Sequence, residues 1–109
     1  MNNVVLIGRL TKDPDVKTTK VKRDKRTENL TIANFTIAVD RMGSDDADFI
    51  RCVAMGKQGD FVESYLNKGM KVAVNGRIQT GSYENSEGNK VYTTDVYCNN
   101  IEFCEKKKD

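Results

Sequence analysis

"GDFVESYLNKG", residues 59–69, is the stretch of the chain with the apolar spacing of a helix. Phe61 and Tyr65 are four residues apart, as are Val62 and Leu66, so these side chains form one apolar stripe that should face a core. Gly69 stands where a left-handed C-terminal cap is expected, and the preceding lysine suits the negative end of the helix dipole. The pattern predicts one short helix.

The segments on both sides of this helix are typical of β-strands. They are short, rich in β-branched residues and alternate in polarity. Three precede the helix, at 3–10, 29–41 and 48–56, and two long ones follow, at 70–80 and 91–104. Gly8 inside the first predicts a bulge or a bend. Residues 17–26 have no apolar period and indicate a loop or an irregular hairpin.

This order of elements predicts the fold class. A small chain with five strands must protect its sheet edges, and closure into a barrel with the helix over one end does so most simply. Three strands, a helix and two strands are the order of the OB-fold, a five-stranded Greek-key barrel. We therefore predict an all-β protein with one short helix, with residues 1–104 as a single OB-fold domain and 105–109 as a short basic tail.

The composition argues against an enzyme. The chain has no histidine, and its three cysteines, Cys52, Cys98 and Cys104, form no CxxC pair. A zinc site of Cys and His ligands, or of four cysteines, is therefore excluded, and we expect buried or otherwise inert thiols. The commonest general base is missing, and no other group has convincing catalytic spacing. We predict no catalytic residue, metal or cofactor.

No sequence signal points to a membrane or to export. No run approaches the ~18 apolar residues that a membrane-spanning helix requires. The N-terminus, "MNNVVLIGRL", lacks the basic and small-residue flanks of a signal peptide. We therefore expect a cytoplasmic protein with no membrane partner.

The positive charge is concentrated in one segment. The net charge of the chain is +2, but residues 17–26, "KTTKVKRDKR", contribute +5, so the other 99 residues sum to −3. Such a run indicates either a solvated loop or a contact with a polyanion. Lys20, Lys22 and Arg23 are the candidates for that contact.

Strand alternation places rings and cations together on one outward side. If Val72, Val74 and Ile78 point inward, then Arg77 and Gln79 point outward, and Tyr83 has their parity. By the same argument the 48–56 strand has one outward set: Phe49, Arg51 and Met55.

Rings beside cations are suited to single-stranded nucleic acid. A base stacks on an aromatic ring with ~1–3 kcal/mol regardless of sequence, and a guanidinium group meets the phosphates. Duplex DNA hides its base faces, so the pattern favours single strands. The alternative is that Phe49 and Met55 pack under a loop or against another subunit.

Four segments resemble bacterial and phage single-stranded DNA-binding proteins in order and spacing. They are "MNNVVLIGRLTKDPDV" (1–16), "ANFTIAVDR" (33–41), the run from "ADFIRCVAMG" to "VYTTDV" (47–96) and "IEF" (101–103). The resemblance implies an OB-fold that binds single-stranded DNA without sequence preference during replication, recombination and repair. It also implies self-association, as a homotetramer or alternatively a dimer, in the bacterial cytoplasm at the nucleoid or in a phage-infected cell.

The resemblance assigns roles to four positions. Phe49 and Tyr83 match the family's base-stacking aromatic residues, and Arg51 and Lys57 match basic positions around the third strand. Met55 departs from the pattern, because the family usually has Trp or Phe there.

Two other segments depart from the family. The loop after Pro14 is longer and more basic than usual. Family members also continue into a tail whose acidic tip recruits replication and repair proteins, whereas this sequence stops at "EKKKD". Either the sequence is cut short before the tail, or this is a natural variant without the recruiting function, and the residues do not decide between the two.

Two further readings remain open at this stage. One is an OB-fold that docks other proteins, as a primosome-type module does. The other is an RNA chaperone of the cold-shock type, against which stands the lack of a clustered Phe/Lys motif.

Overall fold

The fold is described by a computed structural model that covers residues 1–104. It contains six strands and one helix: β1 (Val4–Leu10), β2 (Asp15–Arg23), β3 (Arg26–Asp40), β4 (Ala47–Met55), α1 (Lys57–Tyr65), β5 (Lys71–Glu84) and β6 (Lys90–Phe103). The predicted basic tail, residues 105–109, lies outside the described residues.

Five of the strands close into a ring. The pairing order is β1-β5-β6-β4-β3, and β1 also pairs with β3, which completes the circuit. All neighbours are antiparallel except β4 and β6, which pair in parallel. The helix follows β4 and precedes the two long strands, so the predicted OB-fold with one short helix is confirmed.

Gly8 lies where β1 passes from one partner strand to the other. It pairs with Val72 of β5, whereas Leu10 pairs with Ile37 of β3. A Cβ atom on Gly8 would lie 2.5 Å from the Ala38 carbonyl oxygen. The close approach of two backbones therefore requires glycine here.

The core fills the inside of the ring and the underside of the helix. Alternate residues of each strand point inward, so the strands contribute apolar side chains with a period of two. Val62 and Leu66 of the predicted helical stripe complete the core from α1. The buried cluster comprises Leu10, Ala33, Phe35, Ile37, Cys52, Ala54, Val62, Leu66, Val72, Val74, Val96 and Ile101. Ile78, which we expected to point inward, is 44% exposed because β5 continues beyond the core.

The helix ends earlier than its sequence predicts. Its last residue is Tyr65, and Leu66 is already extended, with φ −99° and ψ 135°. Gly69 does have a positive φ of 88°, but it lies in a separate turn. Its N–H donates to the Leu10 carbonyl at 2.8 Å, and Met70 accepts from the Leu10 N–H at 3.0 Å. Pairing with β1 thus prevents the helix from continuing, and the predicted glycine cap is wrong.

The basic segment is a regular hairpin, not a loop. Strands β2 and β3 pair without a break from Asp15–Asn34 to Arg23–Arg26. The two-residue turn consists of Asp24 and Lys25, both with positive φ, as tight hairpin turns require. Its residues are almost all exposed, so no apolar alternation was available to reveal the strands.

Candidate nucleic-acid interface

The sheet has one continuous outward side, which we call the outer face. Paired residues of neighbouring strands project to the same side. Arg77 pairs with Tyr97, and Tyr97 with Val53. The outer face therefore crosses β5, β6, β4 and β3, and its members are Thr36, Phe49, Arg51, Met55, Arg77, Gln79, Tyr83, Asp95 and Tyr97.

The predicted outward side chains of β4 and β5 are exposed. Phe49 is 70% exposed, Tyr83 57% and Met55 41%. Arg77 and Gln79 are exposed as well. Phe49 and Met55 are therefore not covered by a loop within residues 1–104, which leaves only the other part of the alternative, packing against another subunit.

Phe49 stands at the rim of a cleft on the outer face. The cleft has a volume of about 390 Å³, and its lining includes Lys12, Asn34, Thr36 and Arg51. Asp13 and Asp15 line the same cleft, so its walls carry charges of both signs beside hydrogen-bonding groups. A base complements the ring and these polar walls with its apolar face and polar edges, and the two cations can meet its phosphate.

Arg51 is partly neutralised by a carboxylate that the sequence analysis missed. Its Nε lies 3.5 Å from Oδ1 of Asp95 on β6. This is an ion pair without hydrogen-bond geometry, since Asp95 Oδ1 is buried and has no hydrogen-bond partner among residues 1–104. From the sequence we did not predict which side chains of β6 point inward and which point outward. The alternation of side chains along the strand would have placed Asp95 and Tyr97 together on the outer face.

Arg77 is held by its neighbours. Its guanidinium carbon lies 5.4 Å from the centre of the Tyr97 ring, and its Nη2 donates to Gln79 Oε1 at 3.3 Å. A cation held over a ring loses less conformational freedom when it meets a phosphate. Gln79, chosen from the sequence as a binding residue, thus also orients Arg77.

The loop between β3 and β4 is fastened beside Phe49. Arg41 donates from Nη2 and Nε to Asp48 Oδ1, at 2.7 and 2.9 Å. This hydrogen bond lowers the pKa of the Asp48 carboxyl. Because Asp48 directly precedes Phe49, the pair fixes the backbone at the start of β4.

The basic residues of the hairpin do not share one side. Lys17 pairs with Ile32, which pairs with Met55, and Arg23 has the same parity, so both belong with the outer face. Lys20 and Lys22 alternate with them and project to the other side. The three candidates from the sequence, Lys20, Lys22 and Arg23, therefore lie on two sides of the hairpin, and their role in binding stays a prediction. Lys57 is exposed at the start of α1, two residues after Met55.

The cysteines differ in environment. Contact with the Cys98 thiol, together with burial, raises the pKa of Cys52 far above its usual value. Cys104 is exposed, so of the two predicted alternatives only an inert thiol is left for this residue, and that stays a prediction. Among residues 1–104, no three histidine, cysteine or acidic side chains are grouped to hold a metal ion. No helix in this range is long and apolar enough to cross a membrane.

An OB-fold whose outer face combines exposed rings with guanidinium groups has the features of nucleic-acid-binding OB-fold proteins. Comparison with known proteins agrees with this class. The chain matches the single-strand binding protein family over residues 1–104 and belongs to that family.

Three bacterial relatives illustrate the similarity. The chain is 44% identical over 112 residues to single-stranded DNA-binding protein 1 of Staphylococcus aureus strain COL, covering 98% of this chain and 63% of that protein. It is 47% identical over 104 residues to the single-stranded DNA-binding protein of Clostridium perfringens, covering 94% and 65%. The protein of the same name from Halalkalibacterium halodurans is 43% identical over 112 residues, with coverage of 98% and 62%.

The chain thus spans less than two thirds of the length of these relatives. Their names, like the family description, are those of binding proteins, which supports the prediction that the protein is not an enzyme.

Proposed function

We propose that the protein binds single-stranded DNA without sequence preference. The observation that carries the proposal is the outer face, where Phe49 and Tyr83 expose their rings beside Arg51 and Arg77. Bases stack on the rings, and the guanidinium groups and Lys57 meet the phosphates. Stacking needs only a base face, so every sequence is accepted.

Met55 contributes an apolar contact without stacking. Its side chain lies at the end of β4 beside Ile32, and it is partly exposed. A thioether can lie against a base, but it has no flat π surface. Phe49 and Tyr83 therefore supply most of the stacking energy in this protein.

The β2–β3 hairpin is the electrostatic part of the proposed interface. Lys17 and Arg23 extend the outer face with positive charge, and Lys20 and Lys22 present charge on the other side. The segment contributes +5 against −3 for the rest of the chain, so a polyanion is drawn to this end of the molecule. Phosphate contacts here offset the aromatic ring that is missing at Met55.

The cellular role follows from the ligand. A protein that covers single strands protects them wherever duplex DNA is opened, in replication, recombination and repair. We place this activity in the bacterial cytoplasm, since the curated relatives are bacterial proteins. We propose no replication or repair protein as a partner.

We also propose that the protein forms a homotetramer. Val5 and Ile7 project outward from β1, and both are exposed although they are aliphatic. An exposed aliphatic strand face is a feature of surfaces that pair with another subunit. Light scattering should give the mass of four chains. The mass of two chains would show that the protein is a dimer and that the tetramer proposal is wrong.

Titration with nucleic acids tests the proposed binding. Oligo-dT should bind much more tightly than duplex DNA of equal length, and the affinity should fall with salt by a log–log slope of about −0.7 per phosphate contacted. Equal affinity for both DNA forms would overturn the proposal. A clear preference for RNA would favour a cold-shock-type function. If no nucleic acid binds at moderate salt, a protein-docking function would be favoured.

A further inference from the structure

The β5–β6 hairpin carries a second exposed ring on the side opposite Tyr83. Tyr92 pairs with Ser82, so its side chain projects away from the outer face. It is 75% exposed, more than any other aromatic side chain in residues 1–104. Lys90 Nζ lies 5.5 Å from the centre of this ring. A ring and a cation thus stand together again, as they do on the outer face.

An apolar cleft opens next to Tyr92. Its volume is about 470 Å³, and Ile50, Ile78, Thr94 and Val96 are among its lining residues. Thr94 is two residues from Tyr92 on the same side of β6, so the ring stands ~7 Å beyond the cleft. Together they form one surface with a flat ring at its outer end.

The cleft exists because the β4–β6 ladder is short. The two strands pair at Cys52–Val96 and at Val53–Tyr97. Within the described residues, no β4–β6 pairing continues from there toward Phe49. The gap exposes the inward-facing Ile50 and Ile78 to solvent at this end of the ring.

Phe49 and Arg51 connect this surface to the outer face. Both residues line the cleft on the outer face, and both also line the apolar cleft. A single strand of DNA that passes over Phe49 can therefore continue from one cleft into the other without leaving the protein surface.

We propose that Tyr92, Lys90 and the apolar cleft form a second nucleotide-binding site for single-stranded DNA. The strand passes Phe49, lays a base against the cleft and stacks another on Tyr92, with a phosphate near Lys90. The inference rests on the proposed function and extends it from one side of the β5–β6 hairpin to both. Glu84 lies opposite Lys90 in the β5–β6 ladder, and its negative charge offsets that of the lysine. We therefore expect the Tyr92 ring to contribute more to binding than Lys90.

Single tryptophan reporters test the site. The chain contains no tryptophan, so Tyr92→Trp and Tyr83→Trp each give a fluorescence signal from one position. Stacked bases quench indole fluorescence, and we expect oligo-dT of about 35 nucleotides to quench both variants. Quenching of Tyr83→Trp without quenching of Tyr92→Trp would overturn the second site and leave the proposed function standing. If the wild-type protein does not bind oligo-dT at all, the proposed function itself is wrong, and the second site is excluded with it.

Affinity measurements provide an independent readout. Tyr92→Ala should raise the dissociation constant for the long oligonucleotide by about 5- to 150-fold, the equivalent of one lost stacking contact. A short oligonucleotide that covers only the outer face should bind the variant and the wild type equally. Lys90→Gln should have a smaller effect than Tyr92→Ala.

Two controls separate binding from structure. Tyr65→Ala removes a partly exposed ring on α1 and should leave the affinity unchanged. Thermal unfolding should show that Tyr92→Ala remains folded, since its ring is mostly in solvent. If Tyr92→Ala changes the mass measured by light scattering while Tyr92→Trp is not quenched, the ring belongs to a subunit contact and the inference is wrong.

Discussion

Arg51 and Asp95 form an ion pair in the middle of the outer face, with 3.5 Å between Nε and Oδ1. The guanidinium group remains largely exposed, whereas the carboxylate is mostly covered. The pair therefore presents a cation to solvent and hides the opposing anion beneath it. A phosphate that approaches Arg51 must compete with Asp95 for the same charge.

We expect Asp95→Asn to bind single-stranded DNA more tightly. The substitution removes a negative charge from the interface and frees Arg51 for phosphate. The dissociation constant for oligo-dT should fall by about 2- to 5-fold, the equivalent of a partly exposed ion pair. The salt slope should steepen by about 0.7, one further phosphate contact.

Glu63→Gln is the matched control for this experiment, because it makes the same charge change on the exposed side of α1. It should alter neither the affinity nor the slope. Weaker binding by Asp95→Asn, with the fold intact, would mean that the carboxylate positions Arg51 and does not compete with DNA.

Loss of either outer-face ring should weaken binding. Phe49→Ala and Tyr83→Ala should each cost ~1–3 kcal/mol of binding free energy, because each removes one stacking platform. Titration of both variants with oligo-dT measures the loss. Thermal unfolding should be nearly unchanged, since both rings are exposed. A loss near zero would assign that ring to packing against another subunit.

The two sides of the basic hairpin should differ in their contribution. Lys17→Gln with Arg23→Gln removes two charges from the outer side and should make the salt slope less steep by about 1.4, at ~0.7 per contact. Lys20→Gln with Lys22→Gln removes the same charge from the other side and should have a smaller effect. Equal slopes for the wild type and both double variants would show that the hairpin is only solvated.

Gly8→Ala should destabilise the fold. The added Cβ would meet the Ala38 carbonyl oxygen, which is backbone and cannot turn away. We expect the free energy of unfolding to fall by ~1–3 kcal/mol. Gly81→Ala is the matched control, since its Cβ would meet the Thr93 Oγ1 at 3.1 Å, and that side chain can rotate. Equal stability of the two variants in urea would contradict the tight approach of β1 and β3.

The cysteines should react in a fixed order. Because contact with Cys98 and burial raise the pKa of Cys52, its reactive thiolate is scarce in the folded protein even at pH 9. Alkylation with iodoacetamide, followed by mass spectrometry, should modify the exposed Cys104 first and Cys52 only on unfolding. Modification of Cys52 as fast as Cys104 would contradict the burial of Cys52 beside Cys98.

The sequence predicted those parts of the fold that rest on local patterns. Alternation identified the five ring strands, and the stripe of Phe61, Val62, Tyr65 and Leu66 identified the helix. The early end of α1 depends on hydrogen bonds between residues 69–70 and Leu10, which are distant in sequence. The regular pairing of residues 17–26, for which a loop or an irregular hairpin was predicted, could not be recognised because these residues are almost all exposed and have no apolar period.

The candidate site, too, could be predicted only where it depends on patterns within single strands. Phe49, Arg51, Arg77 and Tyr83 follow from parity within single strands, and the structure exposes all four. Their role in binding stays a prediction until titration tests it. The ion pair of Arg51 with Asp95 depends on the parallel pairing of β4 with β6, and no local pattern reveals which strands will meet.

The circuit of strand pairings also determines the order in which the protein can fold. β2, β3 and β4 pair with neighbours in sequence, whereas Val4 of β1 pairs with Gly76 of β5. Loop closure over so long a segment is slow, and contacts of this kind dominate the folding time of β proteins. During synthesis β1 is made first, and its pairing with β5 cannot form until β5 has been made. We therefore expect the antiparallel unit of β2, β3 and β4 to form early and the union of β1 with β5 to limit the folding rate.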